Sequence, residues 1–102
     1  MDYKQRVYRV VKKIPKGKVS TYGSISKYIK GVTPRMVGRA LHTNPDPASI
    51  PCHRVVDRDG KVAEHFAFGG WREQRRRLIN EGVGFIDPTH VDLGKHSWQS
   101  KK

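Results

Sequence analysis

Two short helical patterns separated by a glycine turn constrain the fold of this chain more than any other feature in it. Thr21 precedes an apolar spacing at Ile25 and Ile29, and Gly31 ends that pattern. Thr33-Pro34 then starts another, since proline suits the first helical position and a threonine oxygen accepts from the unpaired amides of the first turn. Helices follow over about 22–28 and 34–42, the first capped by Ser20 or Thr21. Met36, Val37, Ala40 and Leu41 form the apolar side of the second helix, and Arg35 and Arg39 lie one turn apart on its exposed face. Two short helices joined by a tight glycine-containing turn read as a helix-turn-helix. Upstream, Tyr3, Val7, Val10, Val11 and Ile14 recur at helical spacing and predict an amphipathic helix from Asp2 to Ile14. The basic turn Pro15-Lys16-Gly17-Lys18 breaks it.

Downstream, Asn44-Pro45-Asp46-Pro47 predicts a rigid loop. Arg54-Val55-Val56 reads as a very short strand ended by the turn Asp57-Arg58-Asp59-Gly60, with Lys61-Val62-Ala63 returning as a hairpin arm. An aromatic, glycine-rich loop leads into an Arg-rich helix from Trp71 to about Glu81, with Leu78 and Ile79 inward and Gly82 at its C-cap. Beyond Phe85 the chain reads as loop, a mobile tail over about 87–102 with a Lys-rich end. The expected fold class is mainly α with a short β-hairpin, a winged helix-turn-helix-like DNA-binding domain, and residues 1–102 read as one domain.

Charge narrows the partners. Twenty-one Lys and Arg against nine Asp and Glu leave a net charge of +12, which predicts a nucleic-acid partner because basic side chains neutralise phosphates. A ribosomal-type basic protein and a binder of anionic membranes carry similar charge. No apolar run approaches the ~20 residues of a membrane-spanning helix. The opening Asp2-Tyr3 and the mixed residues after it do not form a signal peptide. One cysteine cannot close an intramolecular disulfide, which suits a reducing cytoplasm. His42, His53, His65, His90 and His96 are too scattered to argue a zinc site, so neither metal nor cofactor is expected.

That single cysteine lies in Ile50-Pro51-Cys52-His53-Arg54-Val55-Val56. A nucleophilic cysteine needs its thiolate, and a neighbouring imidazole is a common way to generate one near neutral pH. A buried structural thiol is the plainer account of the same fragment.

With these parts in order, the chain resembles the O6-alkylguanine-DNA alkyltransferase superfamily, and in size its small alkyltransferase-like proteins. The likeness runs from Ile14 to Trp98. Pro15-Lys16-Gly17-Lys18-Val19-Ser20-Thr21-Tyr22-Gly23 is similar to the family's approach to the helix-turn-helix. Arg35-Met36-Val37-Gly38-Arg39-Ala40-Leu41 is similar to its recognition helix, Asn44-Pro45 to its hinge and Glu81-Gly82 to the end of its catalytic helix. The cysteine motif matches the true transferases, whereas Gly70-Trp71-Arg72-Glu73-Gln74 and the Val91-Asp92-Leu93…Trp98 ending look like the alkyltransferase-like branch.

The resemblance implies roles. Cys52 accepts the alkyl group, His53 takes the thiol proton, Glu81 orients that imidazole and Asn44 ties the hinge to the active-site turn. The partner is double-stranded DNA containing O6-alkylguanine, bound through the minor groove by a monomer. Arg35 fills the stack vacated by a flipped guanine, Tyr22 crowds the phosphate, and Gly38 lets the helix backbone approach the groove. Arg39 and Lys18 contact DNA as well. Leu41, Val55, Tyr22 and Phe66 line the base pocket, and Arg54 has a structural role. Leu41 and Val55 read equally as plain core; the plainer alternatives for the others are an ordinary phosphate contact for Arg35, a core aromatic for Tyr22 and a solvated helix end for Glu81, the last opposed by the helix macrodipole.

One departure stands out. Aligning Gly69-Gly70 with the family's active-site glycines puts Ala67 where a tyrosine normally donates toward the departing O6, and the flanking Phe66 and Phe68 cannot donate. Losing such a donor costs about 2 kcal/mol of transition-state stabilisation, by analogy with oxyanion-hole deletions. Two rivals to alkyl transfer therefore stay open. One is a non-enzymatic damage sensor that recruits nucleotide excision repair proteins; the other is a helix-turn-helix regulator in which Cys52 is incidental.

Overall fold

A computed structural model describes residues 2–98. Helix α1 spans Tyr3–Val11, with the Asp2 carboxylate accepting from the Gln5 amide at 2.9 Å. It ends at Val11 rather than Ile14, yet Ile14 is still buried in the turn that follows. Helices α2 (Tyr22–Lys27) and α3 (Pro34–His42) form the helix-turn-helix, and local chemistry sets their starts. The Thr21 hydroxyl accepts from Ser24 N–H at 3.1 Å and the Thr33 hydroxyl from Met36 N–H at 3.2 Å. Val7 and Val11 pack against Ile25, Val37 and Ala40, so α1 closes the back of the pair and leaves Arg35 and Arg39 exposed.

A 3-10 turn, Cys52–Arg54, leads into β2 (Val55–Val56). This strand pairs in parallel with β1 (Ser20–Thr21), Ser20 opposite Val55 and Thr21 opposite Val56. Successive strand residues point to opposite faces. Val55 accordingly joins the cluster of the three N-terminal helices, and Val56 joins a second cluster with Val19, Val62, Leu78, Val83 and Val91. Helix α4 (Gly70–Asn80) covers that second cluster with Leu78, while Ile79, expected inward, is 44% exposed. The Gly82 amide donates to the Ile79 carbonyl and the Val83 amide to the Leu78 carbonyl. This double closure needs a left-handed residue, and Gly82 supplies it at φ +88°.

The fold class matches the expectation of a mainly helical domain with small sheets, but the hairpin is elsewhere. Asp57 Oδ1 accepts from the amides of Asp59 and Lys61, both at 2.9 Å, and the Asp57 amide donates back to the Lys61 carbonyl at 3.1 Å. Lys61 then bridges His90 and the Val62 amide donates to the Thr89 carbonyl, so the expected arm does not pair with β2. Gly60 permits the approach: a Cβ there would lie 2.6 Å from the Val91 carbonyl oxygen. The antiparallel pair is instead β3 (Phe85–Asp87) with β4 (His90–Val91), followed by helix α5 (Leu93–His96). Residues 87–98, expected as a mobile tail, fold back onto the domain. Val19 pairs with Ser97, and Trp98 N–H donates to the Val19 carbonyl at 2.8 Å. The Lys-rich end beyond Trp98 lies outside the described residues. Among those residues no helix is long and apolar enough to cross a membrane.

Candidate active site

The loop between α3 and the 3-10 turn is closed by one buried side chain. Asn44 Nδ2 donates to the Ile50 carbonyl at 2.8 Å, and its Oδ1 accepts from the Asp46 amide at 2.9 Å. Both halves of the amide are therefore used to hold the segment that delivers Cys52.

Behind Cys52, His53 Nε2 lies 3.0 Å from Glu81 Oε2. Arg54 grips the same carboxylate with both prongs, Nε to Oε1 at 2.9 Å and Nη2 to Oε2 at 2.6 Å, while its Nη1 donates to the Ile14 carbonyl at 2.8 Å. Burial alone would raise the Glu81 carboxyl pKa, but the bonds from Arg54 and His53 leave it below the usual range. The carboxylate is thus held ionised. For His53, burial pulls the pKa down and outweighs the opposing bond from Glu81, so the ring is neutral near pH 7. A neutral ring facing a carboxylate carries its proton on Nε2, leaving Nδ1 as an acceptor. Nδ1 is buried and has no protein partner among the described residues.

Burial also pushes the Cys52 thiol above its ordinary value, with the Asn44 amide and the Arg77 charge pulling the other way. The resting pair is therefore a thiol and a neutral imidazole. In front of Cys52 lies an open cleft of about 330 Å³, counting its mouth. Tyr22, Gly38, Leu41, Val55 and Phe66 all line it, which brings the whole expected base pocket to one place. Burial pushes the Tyr22 hydroxyl pKa up, aided by Asp57 and Cys52. Ala67, at the position of the missing tyrosine, lines the same cleft beside His65.

Arg35 and Arg39 share α3 with Gly38 and Leu41 but lie outside the cleft on the exposed face. Lys18 does not join this group; its ammonium donates to the Lys95 carbonyl at 3.3 Å, near the end of α5. Two contributions escaped sequence reasoning. Gln74, on the inner face of the Arg-rich α4, is 1% exposed and lines the cleft. The spacing Trp71, Gln74, Leu78 was the signal that could have placed it inward. Arg77 bonds Glu73 at 2.8 Å and sits over the rings of Phe66 and Phe68 at 5.5 and 5.9 Å, fixing the aromatic loop. Among the described residues no group of three or more His, Cys, Asp or Glu side chains could hold a metal ion.

A helix-turn-helix whose second helix borders a cleft, with Cys52 lining that cleft and His53 bonded to Glu81 beside it, defines a small DNA-binding domain. The family model for the 6-O-methylguanine DNA methyltransferase DNA-binding domain matches residues 2–83, and the chain belongs to that family. It is similar to alkyltransferase-like protein 1 of Schizosaccharomyces pombe, 38% identical over 96% of this chain and 95% of the relative. It is 34% identical to a DNA base-flipping protein of Escherichia coli, over 95% of this chain and 74% of that protein. A methylated-DNA–protein-cysteine methyltransferase of Thermococcus gammatolerans is 46% identical over 79% of this chain, which spans only 45% of that relative. Among solved structures, S. pombe Atl1 in complex with damaged DNA containing O6-carboxymethylguanine superposes with a TM-score of 0.83 at 32% identity, covering 95% of this chain and 94% of the other.

Proposed function

We propose that this protein binds duplex DNA with α3 in the minor groove, turns an O6-alkylguanine into the cleft and accepts its alkyl group on Cys52. The observation that carries this reading is the chain Arg54–Glu81–His53 behind a cysteine at the base of an open cleft. The neutral His53 ring offers Nδ1 as base, and a bridging water relays the thiol proton to it. Sγ attacks the alkyl carbon, the carbon–O6 bond breaks and its electron pair stays with the base, which takes up a proton to become guanine. The thioether does not hydrolyse, so each molecule acts once.

Gly38 supports the docking mode. A Cβ built there would meet only Tyr22 Cε1, at 4.0 Å, so nothing inside the chain demands a glycine. Its bare helix face is open for a groove to approach.

A second reading, a sensor that binds the lesion without chemistry and passes it to excision repair proteins, is favoured by Ala67. No hydroxyl stands there to assist departure of O6. Intact-mass measurement separates the two. After incubation with excess O6-methylguanine duplex, transfer predicts a stoichiometric gain of ~14 Da that Cys52→Ala abolishes. An unmodified protein that still binds the lesion would leave the sensor.

A further inference from the structure

Gln74 makes three hydrogen bonds from one buried amide. Its Oε1 accepts from the Ala63 N–H at 2.7 Å, and its Nε2 donates to the Val55 carbonyl at 2.9 Å and the His53 carbonyl at 3.2 Å. The partners belong to two separate segments of the chain that meet at the cleft. His53 and Val55 carry the turn that holds Cys52, and Ala63 is the root of the loop that presents Phe66 and Ala67. An apolar side chain would fill the same stripe between Trp71 and Leu78, but it would strand two carbonyls and an amide from water. Such groups are expensive to leave unpaired.

We propose that Gln74 is a positioning residue for this site: as a strut between the Cys52 turn and the Phe66 loop, it sets the separation of the cleft walls on which discrimination of the lesion depends. The inference rests on the reading that the cleft receives a flipped base. It also explains why a glutamine survives on a helix whose neighbours are arginines. Its amide supplies donors to the turn and an acceptor to the loop at once, without a charge at any pH.

Glutamate provides a reversible test. In Gln74→Glu the ionised carboxylate still accepts from Ala63 but faces two carbonyl oxygens with no proton to give. Burial beside those dipoles raises such a carboxyl's pKa, and once protonated it regains a donor. The ratio of affinities for an O6-methylguanine duplex and its undamaged counterpart should fall about tenfold at pH 8 relative to the unsubstituted protein and recover substantially at pH 5.5. Gln74→Met, with no proton to regain, should lose the preference at both pH values. Undamaged-DNA affinity and thermal unfolding report whether each variant is folded, and hydrogen exchange at the Ala63 amide reports the strut without DNA. That amide should be protected in the unsubstituted protein and exposed in Gln74→Met. Retained lesion preference in both variants, or a Glu variant indifferent to pH, would overturn the assignment of Gln74. An unsubstituted protein with no lesion preference would instead overturn the flipped-base reading on which it stands.

Discussion

His53 and Glu81 share one contact and answer to acid in the same direction for different reasons. Burial lowers the pKa of His53 in the folded chain, so as pH falls the unfolded chain takes up that proton first. Stability from this group is full above the ordinary imidazole value of about 6.5 and declines below it. The Glu81 carboxyl is held down by Arg54 and His53 against its own burial, so its contribution is present above the ordinary glutamate value of about 4.3 and lost as pH falls through the lowered one. Because the two interact, the steps belong to the pair rather than to either residue. Denaturation midpoints should be flat between about pH 7 and 8 and fall in two stages on acidification, with His53→Gln removing the upper stage and sparing the lower. A midpoint unchanged from pH 7 to 5 in the unsubstituted protein would contradict the neutral, buried imidazole. In the proposed transfer the same neutrality supplies the base, since only a deprotonated Nδ1 can take a proton from a thiol whose burial keeps it protonated at rest.

Helix α3 lets stability and function be pulled apart. Replacing Gly38 with alanine adds a methyl group that meets only the Tyr22 ring edge at ordinary contact distance, in a helix where glycine is the poorer former by about 1 kcal/mol. Gly38→Ala should therefore raise the unfolding temperature while weakening binding to every duplex, measured by calorimetry and by titration with labelled DNA. Weaker binding together with a lower unfolding temperature would trace the effect to folding instead. This helix was legible because its signals are local: Thr33, Pro34 and the spacing of Val37, Ala40 and Leu41 lie within three turns of each other. The pairing of Ser20–Thr21 with Val55–Val56 was not, because two-residue strands carry no alternation and their partners lie far apart in the chain. The hairpin was misplaced for a related reason: Asp57-Arg58-Asp59-Gly60 is a genuine turn, but where Lys61 goes next depends on His90. Residues 87–98 read as tail because their anchors, Val19 and Gly17, stand at the other end of the chain. At the site, Cys52 and His53 stood out by residue type, and the family resemblance pointed to Glu81 and Asn44, which the fold brings to His53 and to the Ile50 carbonyl. Gln74 and the direction of Lys18 were not, since each depends on a tertiary contact to a backbone carbonyl.

Across the whole molecule, a net charge of +12 and the Cys52 cleft divide the work of binding between two kinds of force. The charge acts on any phosphate backbone and releases counterions, so affinity should fall with salt at a slope of about −0.9 per phosphate neutralised. The cleft is lined by Tyr22, Leu41, Val55 and Phe66 around a neutral thiol, and its contacts with a base displace no counterions. Lesion and undamaged duplexes should therefore give parallel lines of log affinity against log salt, offset by a constant amount that reports the cleft alone. Changing the sequence around the lesion should move neither slope nor offset, because the minor groove offers little beyond A·T against G·C to read. Cys52→Ala should preserve the offset, whereas Arg35→Ala should shrink it if that guanidinium fills the vacated stack. Lys16→Ala should lower both lines together and flatten both slopes by up to about one unit. Titrations at four or five salt concentrations test the division directly. An offset that vanishes as salt rises would mean that charge, not the cleft, distinguishes damaged DNA, and the flipped-base account would fall with it.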